Sequence, residues 1–529
     1  MTQSPDTWVD SFAHHDTVVE LLDKQAAAHG SKELCTFPQG SRSYQSLANR
    51  SRELAAGFTN LGVEAGDRVA IMSYNHPVFL DVYFAAARIG ATVVPFNVSL
   101  RGEDLTYAVS DSDPSVVVLG PDCVERYTNI REDVTVDEEL VIESPEAVEA
   151  PYSSIHHQYV NEEPPTVDVD SEDTLAMVYT SGTTGMPKGV ELSHGSLLTV
   201  GTELAERVIK PDSKDRLYMS QPLFHIFAQM VMMEALIAGV PFSMEKWFSK
   251  SKFWDRVRDH DATIIHFSSA ISDILFEETD APDNPVRIAF GAIDEDIQAD
   301  FGDRFNCQVV PLYGLTESSG LTTCGTVDEP MVGSIGKPTR YVDIEVVDDS
   351  DAPVAPGEEG ELVIRPRTPN AVFSGYYNKP ERTVEVLSNQ WLHTGDIGYK
   401  DTEGRFHFVS RKSYFLRRKG ENVSVYEVER VLNEHSEIEK SIVIGVDAEV
   451  GGEEILAAIK LSKGATIDPL DIIKFCEEKM AYFKIPRYIA FVDEFPRTET
   501  KGTIERHKIQ SQVGDDVWDV QETDYKLER

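Results

Sequence analysis

A chain of 529 residues is too long for one hydrophobic core, so two or three domains are expected, and 41% hydrophobic residues suffice for globular packing rather than disorder. The formal net charge of −41 is spread along the whole chain, and a surface of that sign repels phosphate backbones, which argues against nucleic acid as a partner. Such acidity reads as a protein of a high-salt cytoplasm, where screening relieves self-repulsion; an ordinary acidic cytosolic enzyme is the alternative.

The first residues show no basic region followed by an apolar run, so no signal peptide is expected. From residue 42 helix and strand patterns alternate. "SYQSLANRSRELAAGFTNLG" has helical period and stops at Gly62; "DRVAIMS" (67–73) is an apolar run of strand length. "PVFLDVYFAAARIG" (77–90) predicts a helix closed by Gly90, and "ATVVPFN" the next strand. That is a βαβ unit and implies a parallel sheet covered by helices. A polar, proline-containing linker (161–173) leads to a glycine- and hydroxyl-rich stretch, "MVYTSGTTGMPKGVELSH" (177–194). The most apolar segment, starting at Met230, contains Glu234 and is too short to span a bilayer; it reads as a core helix. A second α/β region runs from "FWDRVRDH" through "ATIIHF" and "RIAFGAI" to "QVVPLYG" (253–314).

Near residue 411 the character changes. "SVYEVERVLNEH" predicts a helix whose Ser424 and Glu427 have capping-box spacing. Strand-like "SIVIGVD" and "EILAAIKLS", the helix "PLDIIKFCEEKM" and the short run "YIAFVDEF" follow. The expected organisation is a large α/β domain over 1–411 and a compact α+β domain over 412–529. The five cysteines (Cys35, Cys123, Cys307, Cys324, Cys476) form no CxxC pair, so neither a zinc site nor a disulfide framework is indicated. A soluble cytoplasmic protein without a transmembrane segment is expected.

The stretch at 177–194 is not a Walker phosphate loop. Pro187 stands five residues after Gly182, no Ser or Thr follows Lys188, and "GVELS" is strand-like, so no helix N-terminus backs the loop. Anion binding must come from backbone N–H groups, from Thr180, Ser181, Thr183 and Thr184, and from the Lys188 ammonium, with Gly182 and Gly185 letting the backbone approach phosphate oxygens.

"YTSGTTGMPKG" resembles the signature of the adenylate-forming enzymes, the superfamily of acyl-CoA synthetases, luciferases and peptide-synthetase adenylation domains. Further similar strings follow in the family's order: "PLFH" (222–225), "YGLTES" (313–318), "GELVIR" (360–365), "WLHTGDIG" (391–398) and "FVSRK" (408–412). The resemblance covers roughly residues 40 to 510 and implies a two-step reaction. A carboxylate attacks the α-phosphate of ATP to give acyl-AMP and pyrophosphate, and a thiol then displaces AMP. It implies that Lys188 and the loop hydroxyls contact the β- and γ-phosphates, that Glu317 binds Mg²⁺, and that Thr316 contacts the α-phosphate. Tyr313 and Gly314 would lie against adenine, as would Gly291 and Ala292 in "AFGAI". Asp396 would accept hydrogen bonds from both ribose hydroxyls, Arg411 would make a second nucleotide contact, and His225 would gate the acyl site.

"RRKGENVSVYEVE" (417–429) is similar to the acyl-CoA and carnitine–CoA ligase branch, in which that loop lines the pantetheine channel. No carrier-protein module follows it, which points to diffusible CoA as the acceptor. The expected partners are therefore ATP, Mg²⁺, CoA and a carboxylic acid, with a carnitine-type, fatty or aryl acid all compatible. Two departures stand out: Ser413 replaces the family's Asp or Lys at the hinge, and the C-terminal segment reads "PRTETKGTIERHKI" (496–509). There Lys501 precedes Gly502 and Thr503 follows it, so the family's catalytic lysine is Lys501 from a shifted loop, Lys508, or absent. The alternatives to a CoA ligase are an adenylate-forming enzyme with another acceptor and a catalytically weak nucleotide-binding homologue.

Overall fold

The computed structural model describes residues 17–142, 162–182, 185–278, 283–411, 415–419, 421–448, 452–496, 506–514 and 517–527. Its local structure follows from identifiable signals. The helix Tyr44–Asn60 begins at Ser43, whose side chain accepts from the Ser46 amide while the Ser46 hydroxyl reciprocates on the Ser43 amide. The helix Pro77–Arg88 has His76 as its cap, and Pro77 occupies a first-turn position where a missing N–H costs nothing.

The strands Arg68–Met72 and Thr92–Pro95 pair in parallel around that helix, as the βαβ pattern predicts. They belong to a seven-stranded sheet; a nine-stranded sheet carries Leu217–Met219, Ile264–Phe267, Ile288–Gly291 and Gln308–Tyr313 as parallel neighbours. Alternation along each strand sets the layering. Val69 and Ile71 join one core with Leu217, Met219, Ile264 and Ile288 of the other sheet, so a helix layer lies between the two sheets. Ala70 and Met72 face a second cluster, and Ile265, Ala289 and Val309 a third, on the outer faces of the two sheets. The result is a layered α/β architecture, as expected. The apolar segment from Met230 lies in the helix Ile226–Ala238, whose residues from Met230 to Leu236 are all buried core.

A four-stranded antiparallel sheet follows, containing Gly360–Pro366, Leu392–Lys400 and Phe406–Arg411. After it comes the hairpin Phe415–Arg418 and Glu421–Ser424, then a four-stranded sheet of Ile438–Asp447, Glu453–Leu461, Tyr488–Phe491 and Trp518–Asp519 with its own core. The helices Val425–Asn433 and Pro469–Lys479 pack into that core. Ser424 caps the first of these as its spacing predicts, but the Glu427 side chain does not close the box; it turns inward to Lys484, 2.9 Å away. All five cysteines are free. Among the described residues no helix is long and apolar enough to cross a membrane.

Candidate active site

Four parallel strands of the nine-stranded sheet end on one cavity of about 2040 Å³. Ser220, Ser268, Ala292 and Gly314, each the first residue beyond its strand, line it. Open α/β sheets place ligands at the carboxyl ends of strands in this way. Pockets for one small molecule usually measure about 300–1,000 Å³, so this one has room for more than one substrate. The sequence-predicted residues Thr180, Lys188, His225, Ala292, Tyr313, Gly314, Thr316, Glu317 and Asp396 all line it. Gly291 does not. A Cβ there would stand 2.2 Å from the Phe267 carbonyl oxygen, so its glycine answers a neighbouring strand; at Gly314 a Cβ would meet the Gly320 carbonyl at 2.3 Å.

The glycine- and hydroxyl-rich stretch is a hairpin. Strands Thr174–Gly182 and Gly185–Ser193 pair antiparallel, with Thr180 opposite Lys188 and Gly182 opposite Gly185. The strands thus run further into the motif than a loop would, and Ser181 lies on the first of them. Beneath, the Tyr179 hydroxyl donates to Asp111 over 2.8 Å, and Lys379 bonds the same carboxylate over 2.7 Å, fixing this strand to the helix Gly102–Ser112. Lys188 is half-buried. Burial holds its ammonium below the usual lysine range, while the Glu317 carboxylate pulls it back up. Its nitrogen lies 4.6 Å above the ring of Tyr376. The Tyr376 hydroxyl in turn donates to Glu317 Oε1 over 2.7 Å. Burial and that carboxylate push the Tyr376 phenol well above its ordinary value, so it stays a donor. Among the described residues no three His, Cys, Asp or Glu side chains cluster as a metal cage. One carboxylate with an oxygen to spare beside the glycine- and hydroxyl-rich hairpin does fit Mg²⁺, which is commonly held by one or two carboxylates plus substrate phosphates.

Across the cavity Asp396, 1% exposed, accepts a 2.7 Å hydrogen bond from the Tyr313 hydroxyl. Its backbone pairs with Arg411 on the neighbouring strand. His225 caps the helix Ile226–Ala238, and its Nε2 lies 3.3 Å from Glu421 Oε1, with Asn97 also reaching Glu421. Leu416, Arg417, Lys419 and Glu421 line the cavity, so the C-terminal hairpin closes one side of it.

Residues 22–377 match the family model described as AMP-binding enzyme, and residues 427–501 match the AMP-binding enzyme C-terminal domain. The chain belongs to the AMP-binding enzyme family. It is 32% identical over 497 residues to a crotonobetaine/carnitine–CoA ligase of Salmonella agona (strain SL483), covering 90% of this chain and 96% of that one. A solved structure of a double mutant of o-succinylbenzoate–CoA synthetase from Bacillus subtilis, with a bound product analogue, superimposes with a TM-score of 0.80 at 22% identity, covering 93% of this chain and 98% of the other. A Mycobacterium tuberculosis fatty acyl-CoA synthetase gives a TM-score of 0.68 at 26% identity, with coverage of 94% and 98%. In this family member, Thr183, Thr184, Ser413 and Lys501 lie outside the described residues, as do the side chains of Ser181 and Arg411. Lys508 is exposed at the end of a short helical turn, away from the cavity lining.

Tyr376, Asn97 and Glu421 belong to the site without having been singled out from the sequence. "GENVS" contains Glu421 but gives no sign that its carboxylate meets a histidine 196 residues away. Tyr376 sits in "FSGYYN", a stretch that reads as an ordinary turn; only its register with Val190, two residues beyond Lys188, brings it to the hairpin.

Proposed function

We propose that the chain is an AMP-forming acid–CoA ligase. A carboxylic acid and ATP give acyl-AMP and pyrophosphate; acyl-AMP and CoA then give acyl-CoA and AMP. The attacking carboxylate is already ionised at neutral pH, so the first step needs no general base. What it needs is alignment and neutralisation of polyphosphate charge. Lys188, Thr180 and the hairpin hydroxyls serve the β- and γ-phosphates, and Thr316 the α-phosphate. Mg²⁺, held by Glu317, would neutralise charge on the phosphate oxygens. Tyr313 lies against adenine and Asp396 takes the ribose hydroxyls.

His225 separates the acyl site from the thiol channel, and residues 412–529 form a mobile unit whose hairpin lines that channel. Ile226, Phe227, Phe267, Ile293, Leu312 and Ile335 give the cavity an apolar share suited to the acid's tail. Lys501 is the candidate to bring a charge to the α-phosphate during adenylation. The setting is a high-salt cytoplasm.

The observation that carries this reading is the single cavity joining the Lys188 hairpin, Glu317, the Tyr313–Asp396 pair, His225 and the C-terminal hairpin. Carnitine-type, fatty and aryl acids are to be tested with ATP, Mg²⁺ and CoA, scoring nucleotide and thioester together. AMP and acyl-CoA are expected in equal amounts for the right acid; ADP with orthophosphate would sink the assignment.

A further inference from the structure

We propose that Tyr376 is a positioning residue that holds Lys188 and Glu317 apart and leaves each aimed at the polyphosphate; this rests on the functional reading above. The two side chains carry opposite charges on neighbouring elements and would gain by collapsing into an ion pair. Among the described residues neither Lys188 nor Glu317 makes one. Each instead contacts the buried side chain of Tyr376. Its face takes the Lys188 ammonium at 4.6 Å, and its hydroxyl holds Glu317 Oε1 at 2.7 Å. The ammonium keeps its donors for phosphate oxygens, and the carboxylate keeps its second oxygen for a cation.

The backbone makes this spacing rigid. The Tyr377 amide donates to the Gly189 carbonyl over 2.8 Å and the Ser374 amide to Glu191 over 2.9 Å, which ties the segment to the strand of Lys188. The Phe373 amide donates to the carbonyl of Glu317 itself over 2.8 Å. The Tyr376 amide donates to the Thr383 hydroxyl over 2.9 Å, anchoring it to the next helix. One five-residue stretch is therefore stitched to both of the groups whose separation it sets.

Two substitutions divide the roles. Tyr376→Phe keeps the ring as spacer but drops the hydroxyl from Glu317; Tyr376→Leu removes the cation's ring as well. The full-length variants are to be titrated calorimetrically with ATP, with and without Mg²⁺, and their melting followed to verify folding. Tyr376→Phe is expected to bind metal-free ATP like the wild type and to need roughly tenfold more Mg²⁺ for half-saturation, the usual effect of losing a hydrogen bond to a charged group. Tyr376→Leu is expected to lose roughly tenfold in ATP affinity even without metal, as Lys188 pairs with Glu317. A Phe variant with unchanged Mg²⁺ dependence, or a Leu variant with unchanged metal-free affinity, would overturn the proposal. If the wild type still makes AMP and thioester, that failure leaves the ligase reading intact; a wild type that binds no ATP removes both.

Discussion

Asp396 and Tyr313 form one unit at the end of the cavity proposed for the nucleotide, because the carboxylate proposed to take ribose hydroxyls also orients the ring proposed to lie on adenine. Asp396→Asn removes the charge from both contacts. The expected cost is about 1.5–3 kcal/mol, or roughly ten- to hundredfold in ATP affinity, and calorimetry would read it directly. Tyr313→Phe keeps the ring and should cost less; equal losses in the two variants would contradict the assignment. The "TGD" string singles out Asp396, which does line the cavity, yet its tie to a tyrosine 83 residues earlier was not legible, since motif strings do not say which strand ends meet. The same holds for His194, which the sequence offers only as the end of the glycine- and hydroxyl-rich stretch. It is buried, and its Nδ1 accepts from the Val18 amide over 3.3 Å, so it is neutral. Burial lowers its pKa from 6.5 to about 4. The unfolded chain therefore protonates first on acidification. The histidine's contribution is complete above about pH 6.5 and is lost progressively down to about pH 4, on the order of 3 kcal/mol. His194→Asn, which can still accept from Val18, should flatten this part of the stability–pH curve measured by urea unfolding; an unchanged slope would refute the attribution.

At the scale of elements, helix and strand identities were legible because period and end signals agree: helical period closed at Gly62 and at Gly90, and the apolar run of strand length in "DRVAIMS". What the sequence left open was how the C-terminal sheet meets the larger part, because that contact is made by charge rather than by periodic apolar faces. Lys484 forms ion pairs with Asp104 at 2.6 Å and Glu427 at 2.9 Å, all three side chains nearly sealed from water. Burial alone would lower the Lys484 pKa, but the two carboxylates outweigh it and keep the ammonium charged. Arg430 adds a bond to Glu103 on the rim. This contact holds the arrangement in which Glu421 lies beside His225. If residues 412–529 turn between half-reactions, as proposed, the triad stabilises only the arrangement seen here. Lys484→Met would leave two buried carboxylates facing each other, and breaking a buried pair costs about 3–5 kcal/mol. It is expected to slow thioester formation from supplied acyl-AMP far more than acid-dependent exchange of pyrophosphate into ATP. Equal slowing of both steps would mean that the triad serves folding alone.

For the whole molecule the dominant quantity is the net charge of −41. The acidic turn at 348–351 shows its local form: Asp348 accepts from the Ser350 and Ala352 amides, so the carboxylate organises its own loop while remaining in solvent. Such surface charges repel one another over a Debye length of about 30 Å at 0.01 M salt but only about 3 Å at 1 M. Buried pairs such as Lys484–Asp104 are screened far less, so added salt relieves the repulsion without removing the interior attraction. Stability should therefore rise steeply with potassium chloride, with the melting temperature lowest in dilute buffer and activity falling there in parallel. Salts also strengthen apolar burial, sulfate much more than chloride. Comparing the two anions at matched ionic strength separates the causes. Screening predicts similar stabilisation by both, whereas a burial effect predicts a large advantage for sulfate. A chain equally stable in 0.01 M and 1 M potassium chloride would show that its acidity places no demand on the solvent, and the high-salt setting would have to be given up.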